Sequence, residues 1–133
     1  MEKEIVNPQA GEWADHETAF SEGVVCDFGE YKRVFISGTT SDASGIKNQT
    51  REILEEIQTR LEGTGGSIDD VVRVRVYVRD SEMSEGALQD IHEARLEYFD
   101  ADHYPASTLV GVSEFVQPEY LIEIDAEAII PTE

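Results

Sequence analysis

The sequence predicts an α+β domain with elements in the order β-β-α-β-α-β-β, two helices lying on one face of a sheet. Three observations carry this. Residues 46–61 and 87–98 repeat apolar side chains at helical spacing. Residues 72–79 and 122–128 alternate apolar and polar side chains, so a sheet built from them has one apolar and one polar face. Strands and helices follow one another without a linker or low-complexity stretch, so the helices pack on the apolar face as a second layer. With 133 residues, the chain has the size of a single domain. Residues 1–133 are read as one unit, in which 1–19, polar and aperiodic with Pro8 and Gly11, form an extended N-terminal arm.

Each element has its own signal. "FSEGVVCDFG" (20–29) is strand-like, "EYK" (30–32) reads as a turn, and "RVFISG" (33–38) is a short buried strand, which together suggest a hairpin. "TTSDASG" (39–45) is a loop offering caps for the next helix, Ser44 among them. Ile46, Ile53, Leu54, Ile57 and Leu61 then fall on one stripe, opposite Glu52, Glu55, Glu56 and Arg60, and "GTGG" (63–66) stops the helix. In "SIDDVVRVRVYVRD" (67–80), Val72, Val74, Val76 and Val78 should face one way and Arg73, Arg75, Tyr77 and Arg79 the other. The second helix, 81–99, turns Ala87, Leu88, Ile91, Ala94 and Tyr98 inward. Pro105 closes the following loop, "STLVGV" (107–112) is a strand, and "YLIEIDAEAII" (120–130) is another, with Ile122, Ile124, Ala126 and Ala128 opposite Glu123, Asp125 and Glu127. The charged face allows two readings, solvent exposure or a polar oligomer interface, and opposite charges would pair if the two strands are neighbours.

Composition narrows the function classes. Twenty-nine acids against ten bases give a formal net charge of −19. Such a surface repels phosphate backbones and anionic membranes, so neither nucleic acid nor a membrane is expected as a partner. The acids are spread along the chain, which excludes an acidic tail, and the bases comprise seven arginines and three lysines, as in halophilic proteins. Cys26, the single cysteine, lies in a strand-like run and reads as a buried thiol. No apolar run reaches the length of a membrane span and the start carries no leader-like pattern, so a cytoplasmic protein is expected.

Chemistry is less legible. There is no glycine-rich phosphate loop, no paired cysteines and no His-Glu-x-x-His. His16, His92 and His103 are widely spaced and fix no ligand geometry, so no metal is expected. Ser107 has His103 four residues earlier, but a proline intervenes and no Gly-x-Ser-x-Gly elbow exists, so it reads as the start of a strand rather than a nucleophile. Ser37-Gly38, at a strand end, would let a ligand approach the backbone, although a turn glycine is the commoner meaning. Glu123, between Ile122 and Ile124, could carry a raised pKa and act as a general base, or could form a salt bridge to an arginine of the 72–79 strand. The salt-bridge reading weighs more for Asp125 and Glu127.

Several segments together carry a resemblance: "FISGTTS", "NQTREILEEIQTRLEGTGGSIDDVVRVRVYVRD", "YPAST-VGV" and "IEIDAEAII", in this order, spanning about residues 20–131. They resemble the RidA/YjgF family, also called endoribonuclease L-PSP or translation-inhibitor proteins. The resemblance implies a chorismate-mutase-like mixed sheet, a barrel-centred homotrimer with ligand clefts between subunits, and a small-molecule ligand. It also implies hydrolysis of imines or enamines without any cofactor. That choice of fold turns the polar sheet face into an oligomer interface.

In active members, an arginine following Pro-Ala clamps the substrate carboxylate. Here Pro105-Ala106 is followed by Ser107, then Thr108 and Leu109, the last at a position often held by cysteine. The pocket tyrosine corresponds to Phe20 and the helix asparagine to His92, while Ser37-Gly38 and the water-positioning Glu123 match. By the resemblance, the cleft is lined by Phe20, Ser37, Gly38, Thr39, His92, Ser107, Thr108 and Leu109, with Glu123 catalytic. A lost charge-assisted pair of about 1.5–3 kcal/mol weakens carboxylate binding roughly tenfold to a hundredfold, which points to a neutral or cationic ligand. The resemblance therefore implies an imine/enamine deaminase of altered preference. The alternative is a non-catalytic ligand-binding or regulatory trimer. An endoribonuclease or translation inhibitor, the third reading, is opposed by the charge.

The charge also makes a solution prediction. Raising NaCl from about 0.01 to 1 M shrinks the screening length from roughly 30 to 3 Å, so the thermal midpoint followed by circular dichroism should rise by several degrees. A midpoint that stays level or falls would show that self-repulsion is not limiting.

Overall fold

The computed structural model describes residues 1–8 and 18–132. Its strands are β1 (Glu2–Pro8), β2 (Ser21–Asp27), β3 (Tyr31–Thr39), β4 (Val71–Arg79), β5 (Ala106–Val112) and β6 (Ile122–Pro131). The helices are α1 (Ile46–Gly63) and α2 (Glu85–Leu96). The six strands form one sheet in the order β1-β2-β3-β6-β4-β5. All neighbours are antiparallel except β4 and β5, so the sheet is mixed and the domain α+β, as the periodicities predict.

One difference lies at the N-terminus. Residues 2–8, within the expected arm, are a strand paired with β2, Glu2 opposite Asp27 and Pro8 opposite Ser21. The sequence hides it because an edge strand needs no apolar alternation; backbone pairing suffices. The rest of the arm, from residue 9 to 17, including His16, lies outside the described residues.

The core forms between the sheet and the helices. Val25, Val34, Ile36, Val74, Val76, Val78, Ile122, Ile124, Ala126, Ala128 and Ile130 of the sheet meet Ile46, Ile53, Leu54, Ile57, Leu61, Ala87 and Ile91 of the helices. Leu88 and Tyr98, expected inward, sit at its margin, partly buried. The expected inward Val72 is 44% exposed and Val71 is buried instead. A register shift between Val71 and Arg73 opposite β6 marks a bulge that takes up one residue and reverses the alternation there. From Val74 onward the expected phase holds.

Helix ends are set by other groups than those expected. Gly45, at φ 84°, stands at the N-cap of α1 with no side-chain cap. Ser44 instead offers its carbonyl to the Asn48 amide at 2.9 Å. A positive φ favours glycine, which explains the choice over serine at 45. For α2, the Ser84 hydroxyl accepts from the Ala87 N–H at 3.0 Å, so the helix begins at Glu85. The hairpin turn sits one or two residues earlier than "EYK", with Gly29 at φ 92° and β3 beginning at Tyr31.

The helices are joined by polar contacts along their outer seam. Lys47 pairs with Glu93 at 2.6 Å, Arg51 with Glu97 at 2.8 Å, and the Tyr98 hydroxyl donates to Glu55 at 2.9 Å. A buried side chain ties α1 to the sheet. Gln49, 1% exposed, donates its amide to the carbonyls of Ala43 at 3.0 Å and Glu119 at 2.9 Å, and accepts from the Leu121 N–H at 2.9 Å. It thereby fixes the chain just before β6 begins. Gln49→Ala would leave two carbonyls and an N–H without partners, and should lower unfolding stability by about 2–4 kcal/mol. Chemical denaturation with an unchanged m-value would measure this.

Candidate functional site

The site follows from the alternation of β6. Ile122 and Ile124 face the helices and are buried, so Glu123 between them projects from the opposite face. Its register partner on β4 is Tyr77. On the other side, β3 has a bulge between Ile36 and Thr39. Gly38 is thereby brought against the Glu123 carboxyl group so closely that a Cβ at 38 would overlap it. The absence of a side chain at 38 thus leaves room for the Glu123 carboxyl group, which a larger residue would have to displace.

Glu123 forms no salt bridge or hydrogen bond among the described residues. Burial raises its pKa above the ordinary carboxylate value, and the neighbouring negative charge of Asp125 adds to the shift. Its two neighbours on the same face are engaged. Asp125 binds Arg75 of β4 at 2.9 Å and lies 3.4 Å from the Tyr77 hydroxyl. Glu127 pairs at 3.4 Å with Arg33 of β3, not with the 72–79 strand. Of the three β6 carboxylates, the one without a cation among the described residues is the one whose salt-bridge reading weighed least.

The other expected site residues fall into separate groups. Ser37 donates its hydroxyl to the Ser21 carbonyl at 2.6 Å, and Phe20, just before Ser21, is 56% exposed. Phe20, Ser37, Gly38 and Glu123 thus gather at one end of β2, β3 and β6. Thr39 does not join them. The bulge turns it to the helix side, where it is buried and its hydroxyl accepts from Arg60 at 2.9 Å. The remaining residues lie across the sheet. Ser107 and Leu109 are in register with Val74 and Val76 and share their helix-side orientation, while Thr108 lies 3.5 Å from Arg73 on the other side. His92, on α2, is exposed. Strand β4 separates β5 from β6, so within one chain Ser107 and Glu123 are not brought together.

Two features escaped the sequence reading. His92 lines a cavity of about 380 Å³ with Arg95, Leu96, Phe99, Tyr104 and Pro105. The spacing of 92, 95, 96 and 99 was the available signal, since these positions share a helical face. Asp69, Asp100 and His103 also converge, their ligand atoms within 4.8 Å of one another, and all three are exposed. Among the described residues, no helix is long and apolar enough to cross a membrane.

Comparisons with known proteins bear on the family and the fold. Residues 14–130 match the family described as endoribonuclease L-PSP. A RutC family protein of Pyrococcus horikoshii is 42% identical over 83 residues, covering 62% of this chain and 61% of the relative. Another RutC family protein, from Sulfurisphaera tokodaii, is 31% identical over 123 residues, 81% of this chain and 94% of the relative. Among solved structures, a Mycobacterium tuberculosis member of the YjgF/YER057c/UK114 family superposes with a TM-score of 0.78 at 28% identity, over 97% of this chain and 100% of that one. A Thermotoga maritima protein titled a putative endoribonuclease gives 0.73 at 27% identity, over 100% and 99%.

Linkage makes Glu123 testable. A carboxyl whose folded pKa is raised binds its proton more tightly in the native state than in the unfolded one. Its contribution to stability is therefore full below the unfolded value near 4.3 and is lost as pH rises through the folded value. Glu123→Gln removes that loss, so the variant should gain thermal stability over the native protein at pH 7 and gain little at pH 4. Equal differences at both pH values would mean that the carboxyl is not perturbed.

Proposed function

The chain belongs to the endoribonuclease L-PSP (RidA/YjgF) family, and from that premise we propose that it is a small-metabolite hydrolase acting on imines or enamines. The observation that carries this is the Glu123 carboxyl group, half-buried, without a cation among the described residues, and lying directly against Gly38. In hydrolysis, the oxygen of water adds to the imine carbon while Glu123 accepts its proton. Return of that proton to nitrogen gives the carbinolamine. Glu123 then takes the hydroxyl proton and passes it to nitrogen, so the C–N bond breaks as the C=O bond forms, releasing ammonia and a carbonyl compound. A carboxyl whose pKa is raised by burial accepts a proton more readily than an ordinary carboxylate and can return it in a later step. No cofactor is required by this scheme.

The active unit is proposed to be a homotrimer. One chain leaves Phe20, Ser37, Gly38 and Glu123 on one side of β4 and Ser107 and His92 on the other, so a complete cleft needs a second subunit. Exposed Val110 and Ile129, on the face that also carries the charged rows, support burial of that face between copies. Ser107 in place of the family arginine shifts preference away from carboxylate substrates at this cleft, towards neutral or cationic imines. The same serine supports a second reading, a ligand-binding or regulatory trimer without turnover. RNA cleavage is disfavoured by the −19 net charge.

One assay separates the first two. Imines are generated in situ from neutral, cationic and anionic amino acids and supplied to the native protein and to Ser107→Arg in high salt. Loss of neutral or cationic imines faster than in buffer, abolished by Glu123→Gln, is the expected result. Ser107→Arg should shift preference towards anionic imines by about tenfold or more. Absence of turnover in every case would leave the binding reading. A monomer by light scattering in the same salt would remove the shared cleft.

A further inference from the structure

Separately from Glu123, we propose that the cavity between the C-terminal half of α2 and Tyr104-Pro105 is a binding site for a small carboxylate with a flat apolar body, held by the guanidinium of Arg95. The cavity has a volume of about 380 Å³, within the ordinary range for small-molecule sites. Leu96, Phe99, Tyr104 and Pro105 give it apolar walls, and Arg95 and His92 supply its polar groups.

Arg95 is unusual among the arginines of this chain. The other six arginines each form an ion pair or a side-chain hydrogen bond: Arg33, Arg51, Arg60 and Arg75 with carboxylates, Arg73 with Thr108, and Arg79 with two carbonyls. Arg95 forms neither among the described residues, although acids outnumber bases 29 to 10. The acids nearest to it in sequence are taken, Glu93 by Lys47 at 2.6 Å and Glu97 by Arg51 at 2.8 Å. Its helical neighbours at three and four residues are His92, Tyr98, Ile91 and Phe99, none of them an acid.

Arg95 is also partly buried, and that burial lowers its pKa without any opposing charge to restore it. A place in the last turn of α2 accounts for a cation there, because the helix C-terminus favours one. It does not account for a partly buried guanidinium that lines a cavity with Phe99 and Tyr104 and has no counter-ion among the described residues. A carboxylate entering the cavity would supply the missing partner in bidentate geometry, and the apolar body would cover the walls. The cavity shares His92 with the proposed inter-subunit cleft, but within one chain Arg95 is on the helix side of the sheet and Glu123 on the opposite face, so the two groups can be varied separately.

The probes are benzoate and its neutral isostere benzamide, titrated into the full chain in about 1 M NaCl and followed by NMR chemical shifts. Salt at this level screens the surface charge while leaving a partly buried pair effective. Benzoate should bind at least about tenfold more tightly than benzamide, and Arg95→Gln should erase that preference while leaving benzamide unchanged. Arg95→Lys should retain part of it. Glu123→Gln should leave benzoate affinity as it was. Equal affinities for the two probes in the native protein would overturn the proposal, even if Arg95→Gln failed to fold. So would retention of the preference in Arg95→Gln, or its loss in Glu123→Gln, which would place the anion on the other face.

Discussion

The last strand of the chain occupies the middle of the sheet, and the arrangement of the molecule follows from that insertion. Strand β6 pairs with β3 on one side and β4 on the other, so its alternation serves two interfaces at once. A slip of one residue would bring Glu123, Asp125 and Glu127 into the core and Ile122, Ile124 and Ala126 out of it. The cost of burying three carboxylates makes that register untenable. Gln49 reinforces the choice from the helix layer, since its side-chain amide holds Glu119 and Leu121 at the point where β6 enters the sheet. One buried polar residue on α1 thereby helps set the phase on which the candidate site depends.

The acid surplus gives the distribution of cations its meaning. Nearly every arginine is used to neutralise or position something: Arg75 beside Asp125, Arg33 beside Glu127, Arg51 beside Glu97, Arg79 on the carbonyls that precede β6. Exposed pairs of this kind add little stability individually. Their consequence is local. Among the described residues, they leave the half-buried carboxyl of Glu123 without a partner on one side of the sheet and the partly buried guanidinium of Arg95 without one on the other. Perturbed, unpartnered ionisable groups are where binding and proton transfer are favoured.

Most of the fold was legible because its signals are local. The stripe from Ile46 to Leu61 and the alternation of β4 and β6 needed only the period of the side chains. What failed to show was also physical. Strand β1 has no apolar pattern because pairing with β2 holds its backbone. The bulge at Val71–Arg73 is a matter of register with another strand, so the exposure of Val72 could not be read from alternation. The site was partly legible: Ser37, Gly38 and Glu123 were singled out, but Thr39 was grouped with them and is turned away by the bulge in β3. Arg95 attracted no notice, because an arginine in the last turn of a helix is ordinary until its partners are counted.

The sequence by itself determined the α+β class, the two helices and their buried stripes, the segregation of charge onto one sheet face, and the segments that resemble the family. Each of these rests on periodicity or on residues close together in the chain. Only the tertiary structure decided that β6 lies between β3 and β4, that Gly38 closes on Glu123, that Asp125 and Glu127 find arginines while Glu123 does not, and that Arg95 faces a cavity alone. These depend on which distant segments meet, and a partner 40 or 90 residues away leaves no trace in local pattern.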